Sequence, residues 1–137
     1  MSSKHDLRPH LWAPVAIYMA AIFYASSLSN PPLPANSDKP LHWLAYFGLA
    51  VVVVRALAGG LPRPVSHGVA AAAVAITVTY GATDEVHQMF VPGRTADAYD
   101  LMADAAGAVA GTVVCVVWGL FAQGTRHKSQ GSSRNRR

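Results

Sequence analysis

The stretch 80-YGATDEVHQMFVPGRTADAYDLMADAAGAVAG-111 decides how this chain folds, because it places charge between apolar segments. Five of the seven acidic residues of the chain lie in it. Placing a charged side chain at the centre of a membrane-spanning helix costs about 2.5–3.5 kcal/mol on insertion scales. The stretch therefore predicts that its acidic side chains face partner helices and serve a site.

The composition around this stretch is typical of an integral membrane protein. Of the 137 residues, 52% are hydrophobic and only 13% are charged, whereas about a quarter are charged in an average soluble domain. The net charge of +4 does not predict nucleic acid as a partner, because the basic residues lie in tails and short loops without interleaved aromatic residues. The single cysteine, Cys115, lies in an apolar run and is predicted to be a core residue.

Four apolar segments predict a bundle of four transmembrane helices. The first segment, Leu11 to Leu28, is uncharged and would be about 27 Å long as a helix, close to the thickness of a bilayer core. The others are predicted at about 41–57, at 65–90, and from 95–97 to about 121. Loops rich in proline and glycine separate them. The predicted fold class is an all-helical membrane protein.

These helices form one predicted membrane domain, residues 11–122, between two tails. Residues 1–10 are a polar tail, and residues 123–137 are a basic tail whose composition predicts disorder. A cleaved signal peptide is the competing interpretation of the first segment, because small residues lie at positions 25–27. That segment is long for a signal peptide, and its removal would leave three helices.

Lysine and arginine are distributed unevenly between the two ends of the predicted bundle. Four spans place both termini, together with the connection between the second and third helices, on one side. That side has nine of the eleven basic residues, and the other side has only Lys39 and Arg94. Basic residues concentrate on the cytoplasmic side of membranes. Both termini are therefore predicted to be cytoplasmic, in the inner membrane, with six of the seven acids at the outer end.

Helical spacing predicts that three polar stripes face one another near the outer end. On the second helix, Lys39, His42 and Tyr46 share one face. On the third, Tyr80, Asp84 and Gln88 share a face, with Glu85 and His87 beside it. On the fourth, Asp97, Asp100, Asp104, Gly107 and Gly111 follow spacings of three and four, as in a heptad seam. The stripes predict an outward-facing polar pocket between these helices.

The two glycines predict close packing of the fourth helix. Small residues four apart let another backbone approach in membrane bundles. We expect Gly107 and Gly111 to contact the second or third helix, although the same face would also suit an oligomer interface.

Single residues of the stripes also have structural interpretations. Asp38 and Asp97 are candidate helix caps, Tyr46 and Tyr80 are candidate interfacial aromatics, Gln88 is a candidate bridge between helices, and Arg94 is a candidate ion-pair partner of Asp100 or Glu85. The whole set nevertheless exceeds what a structural bridge requires. Asp100 and Asp104 lie one turn apart, and their repulsion would be relieved by a bound cation or a shared proton.

Neither a metal site nor a serine triad is predicted. His42, Asp84, Glu85, His87, Asp100 and Asp104 are ligand types, but their spacing matches none of the strong zinc motifs. Serines at positions 26, 27 and 29 lack the turn motif that exposes a nucleophile. No cofactor follows from the sequence.

Two motifs resemble those of a known membrane-protein family. The first runs from Asp38 to His42 and continues with Tyr46. The second comprises Asp84, Glu85, Gln88, Phe90 and Pro92-Gly93-Arg94, followed by Asp100, Gly107 and Gly111. Over about residues 11–122 the chain is similar to the VanZ-like family of small bacterial membrane proteins. One position differs, because the family pattern has asparagine where this chain has Asp104.

The resemblance implies a cell-envelope protein but assigns no reaction. The family is named for an accessory factor that raises resistance to the glycopeptide antibiotic teicoplanin, and most members have no known reaction. Its polar positions correspond here to Asp38, Lys39, His42, Tyr46, Asp84, Glu85, Gln88, Arg94 and Asp100. An acid at position 104 favours binding of a cation or a proton.

The leading hypothesis is a protein that recognises an amphiphilic ligand in the outer leaflet. Arg94 and Lys39 would hold an anionic head group, and membrane lipids or a lipid-linked cell-wall ligand would be the partner. The ligand-binding candidates are Asp38, Lys39, His42, Tyr46, Tyr80, Asp84, Glu85, Gln88, Arg94, Asp100 and Asp104.

Two other classes stay open, and whether the protein is an enzyme is not decided. A membrane-embedded enzyme would use His42 or Glu85 as general base and Asp100 as acid on a lipid-linked substrate. A proton- or ion-coupled transporter component would need more than four spans, which a dimer formed through the fourth helix would supply.

Overall fold

The computed structural model describes residues 8–29 and 38–134, with side chains as far as residue 125, and this part of the chain forms four helices and no strand. They are α1 (Pro9–Ser26), α2 (Asp38–Ala58), α3 (His67–Gln88) and α4 (Ala98–Arg134). The predicted all-helical architecture with four helices is confirmed. Most of the predicted N-terminal tail lies outside the described residues.

Short polar residues begin two of the helices. The Ser66 hydroxyl accepts a hydrogen bond from the Val69 amide at 3.2 Å and caps α3. Asp97 accepts a hydrogen bond from the Tyr99 amide at 2.8 Å and caps α4, which satisfies one of the free amides at a helix start. The interpretation of Asp97 as a cap is confirmed. Asp38 is itself the first residue of α2, where its charge suits the positive end of the helix.

The end of α4 differs from the prediction. The helix was expected to end near Phe121, but it continues to Arg134, through much of the segment whose composition predicts disorder. Adding a residue to an existing helix forms one more hydrogen bond without a new nucleation cost. A long apolar helix therefore extends into a polar segment that would not form a helix alone.

Glycines on α4 bring it against the backbone of α2. A methyl group on Gly107 would overlap the carbonyl oxygen of Trp43, and one on Gly111 would lie 2.5 Å from the carbonyl oxygen of Phe47. The expected close contact is therefore made with α2, within one chain. This glycine face is occupied and is not free to bind a second copy.

The core lies where α2 meets the other helices. Leu49, Val53 and Val54 of α2 are almost completely buried, and Cys115 of α4 is buried beside them, as predicted for a core residue. α1 belongs to the same core, because its apolar side chains at Leu11, Val15 and Ile22 are buried.

Two of the described helices are long and apolar enough to cross a membrane: Asp38–Ala58 and Ala98–Thr125. Many large apolar side chains nevertheless point away from the core, among them Ile17, Leu44, Val113, Leu120 and Phe121. Such a large apolar surface is rare on soluble monomers. Helix length, composition and surface together indicate a membrane protein.

Candidate functional site

Polar side chains of three helices meet where α3 ends and α4 begins. The buried members come from the predicted stripes, and we call them the polar cluster: His42, Tyr46, Asp84, Glu85, Gln88, Asp100 and Asp104. The spacing of these residues therefore predicted correctly that they come together. Tyr80 and His87, which the stripes also included, turn towards α1 instead.

His42 and Asp104 form the centre of the polar cluster. The imidazole Nδ1 of His42 lies 2.9 Å from Oδ1 of Asp104. Asp104 is completely buried, and its Oδ2 has no hydrogen-bond partner within the described part of the chain. A methyl group on Gly81 would lie 2.9 Å from this Oδ2. Because glycine has no side chain, position 81 leaves room for the Asp104 carboxylate.

Lys39 contacts two carboxylates at the start of α4, one from the cap residue Asp97 and one from Asp100. Its Nζ lies 3.1 Å from Oδ2 of Asp97 and 3.4 Å from Oδ1 of Asp100. The Tyr99 amide, together with the Lys39 ammonium, holds the pKa of Asp97 below its usual range. Lys39 thus neutralises carboxylates at the start of α4. Its predicted contact with the head group of a ligand stays a prediction.

Glu85 joins α3 to the start of α4. Its Oε2 accepts a hydrogen bond from the Asp97 amide at 2.9 Å. The Gln88 amide donates to Oε1 of Glu85 at 3.4 Å and to Oδ2 of Asp84 at 3.3 Å. Within the described part of the chain, Gln88 therefore links two residues of its own helix, and its predicted bridge between two helices is not seen there.

α1 contributes contacts that the sequence did not reveal. The Ser26 hydroxyl donates to Oδ2 of Asp84 at 2.7 Å, and the Tyr80 hydroxyl donates to the Met19 carbonyl at 2.6 Å. Oγ of Ser27 lies 3.0 Å from Nε2 of His87. Because α1 is apolar on all sides, its periodicity could not show which face is buried. The serines at its end were the only available signal.

A cavity lies beside the polar cluster. The pocket was predicted between α2, α3 and α4, and that placement is not confirmed. The cavity has a volume of about 440 Å³ and lies mainly between α1 and α2, with Asp84 of α3 and Arg94 also in its lining. Its lining is mainly apolar, and the polar residues that reach it are Ser26, Asp38, His42, Tyr46, Asp84 and Arg94.

Arg94 reaches this cavity without meeting a carboxylate. Its Nη2 lies 3.5 Å from the Ala25 carbonyl, and its Nε is buried without a partner in the described part of the chain. None of the six acidic residues that the structure describes lies within 4 Å of the guanidinium. The suggested ion pair with Asp100 or Glu85 is therefore not formed.

Among the residues that the structure describes, two groups of three side chains have donor atoms close enough for a metal ion. His42, Glu85 and Asp104 are all buried, and one donor atom of each lies within 4.8 Å of the other two. Asp38, His42 and Asp100 form a second such group at the edge of the cluster. Each group combines side chains from at least two helices, so neither group follows from spacing along the chain alone.

Comparison with known proteins gives one positive result. A family model described as VanZ/LLP1 matches residues 11–119. The matched range begins in α1 and ends in α4, so it includes the polar cluster and the cavity. No curated protein and no solved structure matches the chain.

Proposed function

The chain belongs to the VanZ/LLP1 family, and from this membership we propose that it is a four-span inner-membrane protein that binds a lipid-linked, anionic ligand of the cell envelope. The head group occupies the outer end of the cavity between α1 and α2, and the lipid tail lies along the apolar helix faces. The observation that carries the proposal is the Arg94 guanidinium, which lines a largely apolar cavity and forms no ion pair within the described part of the chain.

The position and the chemistry of the Arg94 side chain suit it to bind an anion. A buried polar atom without a partner is costly, by about 1–3 kcal/mol, and the Nε of Arg94 is such an atom. The planar guanidinium holds a phosphate or carboxylate through two parallel hydrogen bonds. An anionic group in the cavity would therefore give the guanidinium the counter-charge that it lacks within the described part of the chain.

The rest of the cavity indicates the class of ligand. Its volume of about 440 Å³ is within the range of small-molecule sites. Ala21, Ile22 and Leu41 offer an apolar wall, whereas Asp38 and Asp84 offer carboxylate oxygens that accept hydrogen bonds from hydroxyl groups. A phosphate, several hydroxyl groups and a hydrocarbon chain together describe a lipid-linked sugar phosphate.

The proposed orientation predicts which ends of the bundle can be labelled. Pro92→Cys and Pro64→Cys, each in a Cys115→Ala background, change exposed prolines at opposite ends. Because nine of eleven basic residues lie on the predicted cytoplasmic side, a membrane-impermeant maleimide should label only Pro92→Cys in intact cells. Pro64→Cys should react after lysis. The reverse result would open the cavity to the cytoplasm.

The proposed ligand site predicts a specific loss on Arg94→Lys. Lysine keeps the charge but cannot form two parallel hydrogen bonds. The variant should therefore fold normally and retain at least about tenfold less anionic lipid, since loss of a charge-assisted hydrogen bond costs about 1.5–3 kcal/mol. Native mass spectrometry of protein purified from membranes measures the bound lipid, and teicoplanin sensitivity measures the cellular effect.

Arg63→Lys is the matched control, because Arg63 lies in the loop at the opposite end of the bundle. Equal lipid retention by both variants would reject the proposed site. Asp100→Asn should not restore binding to Arg94→Lys, because Asp100 is paired with Lys39. A lipid that is chemically altered in cells with the gene would instead favour the enzyme.

A further inference from the structure

We propose that His42, Glu85 and Asp104 form a binding site for a divalent transition-metal cation, with zinc the ion that these donors fit best. The site lies inside the polar cluster and does not depend on the proposed lipid ligand. It joins α2, α3 and α4, because each helix supplies one of the three side chains.

The donor atoms lie close enough together to share a metal ion. Nδ1 of His42 and Oδ1 of Asp104 are 2.9 Å apart, and a tetrahedral ion with bonds of about 2.0–2.2 Å would move two such ligands to roughly 3.4 Å from each other. One donor atom each of His42, Glu85 and Asp104 lies within 4.8 Å of the other two. All three side chains are buried.

A cation would also compensate the charge of the cluster. Asp84, Glu85 and Asp104 are buried, and no lysine or arginine that the structure describes lies within 4 Å of them. Burying carboxylates costs several kcal/mol each unless an opposite charge accompanies them. A divalent ion between Glu85 and Asp104 would supply that charge.

Asp104 provides an independent indication of a ligand. It is completely buried, yet its Oδ2 has no hydrogen-bond partner among the described residues. The hydroxyl group of Tyr46, which is also almost completely buried, has no such partner either. Buried polar atoms in folded proteins are nearly always satisfied. A metal ion bound to Asp104 would give its carboxylate the partner that Oδ2 lacks among the described residues.

The donor set selects the class of metal. One imidazole nitrogen with two carboxylate oxygens is suited to zinc, which commonly takes three protein ligands and leaves a position for water or substrate. Magnesium and calcium prefer oxygen donors alone. Glu85 is already oriented by the Asp97 amide and Gln88, as outer-shell groups orient metal ligands.

The neighbouring group of Asp38, His42 and Asp100 fits a metal less well. Asp38 is about half exposed, and the Lys39 ammonium lies 3.4 Å from Oδ1 of Asp100. That ammonium already neutralises the carboxylate and would repel an added cation. The buried group is therefore the one we assign.

Zinc binding to the purified protein tests this assignment. Protein in detergent is treated with chelator, exchanged into buffer and titrated with zinc by calorimetry, with calcium as the comparison ion. The wild type should bind one zinc per chain, at least tenfold more tightly than calcium. Glu85→Gln and Asp104→Asn should each weaken zinc binding at least tenfold, and His67→Gln should not, because His67 is exposed at the opposite end of α3.

Cobalt substitution keeps the test decisive if a variant fails to fold. The cobalt-loaded wild type should show visible absorption bands and, in its NMR spectrum, a broadened signal from one histidine imidazole. That broadened signal should be absent from His42→Gln. The proposal is overturned if the wild type binds no zinc, if Glu85→Gln and Asp104→Asn bind it like the wild type, or if only Asp100→Asn abolishes binding.

Discussion

Gly107→Ala should destabilise the protein strongly, whereas Gly124→Ala in the same helix should leave it unchanged or slightly stabilised. A methyl group on Gly107 would overlap the Trp43 carbonyl and lie 3.0 Å from the Phe47 amide nitrogen. These neighbours are backbone atoms, so α2 and α4 would have to separate. Overpacking a rigid contact typically costs 1–3 kcal/mol, occasionally more.

Gly124 is the matched control because a methyl group there would meet nothing within 4 Å. Alanine is a better helix former than glycine by about 1 kcal/mol, so the two identical substitutions should have opposite signs. Thermal unfolding of the purified variants in detergent measures both. Equal midpoints for the two variants would show that α4 does not pack on α2 through its glycines.

His42→Leu should have the second large effect, measured on metal-free protein. The substitution removes the one side chain that contacts Oδ1 of Asp104 within the described residues, and Asp104 is completely buried. Leaving a buried polar group without its hydrogen-bond partner typically costs about 1–3 kcal/mol, and more when that group is charged. Chelator-treated His42→Leu should therefore unfold at a much lower temperature than the wild type.

Two further variants separate charge from packing. Asp104→Asn in the His42→Leu background removes the abandoned charge and should restore most of the lost stability. Asp38→Asn should change stability little, because Asp38 is half exposed and lies 4.0 Å from His42, and exposed ion pairs contribute about 0–1 kcal/mol. A double variant no more stable than His42→Leu would mean that the imidazole stabilises the fold by packing alone.

The polar cluster could be predicted because helical spacing is a strong signal. His42 and Tyr46 recur on one face of α2, and Asp100, Asp104 and Gly107 recur on one face of α4, so each stripe could pack only against another polar stripe. The same spacing does not show which basic side chain pairs with which acidic side chain. Lys39 and Arg94 have long side chains next to helix ends, and only the three-dimensional turn shows that Lys39 holds Asp100.

Two features could not be predicted for different physical reasons. α1 has no polar stripe, so its periodicity does not show that it forms a wall of the cavity, and the serines at its end do not show which residue Ser26 bonds to. The grouping of His42, Glu85 and Asp104 depends on three helices meeting at one depth. Zinc motifs are recognised by short spacings along the chain, and these ligands are separated by 43 and 19 positions.

α1 packs less extensively against the rest of the bundle than the other three helices do. Among the described residues it packs on α2 and α3 but does not touch α4, whereas α2, α3 and α4 all pack on one another. An element with fewer contacts opens at a lower free-energy cost than the rest of the fold. Amide hydrogens of α1 should thus exchange first, and a molecule seated between α1 and α2 would fasten the helix that is easiest to detach.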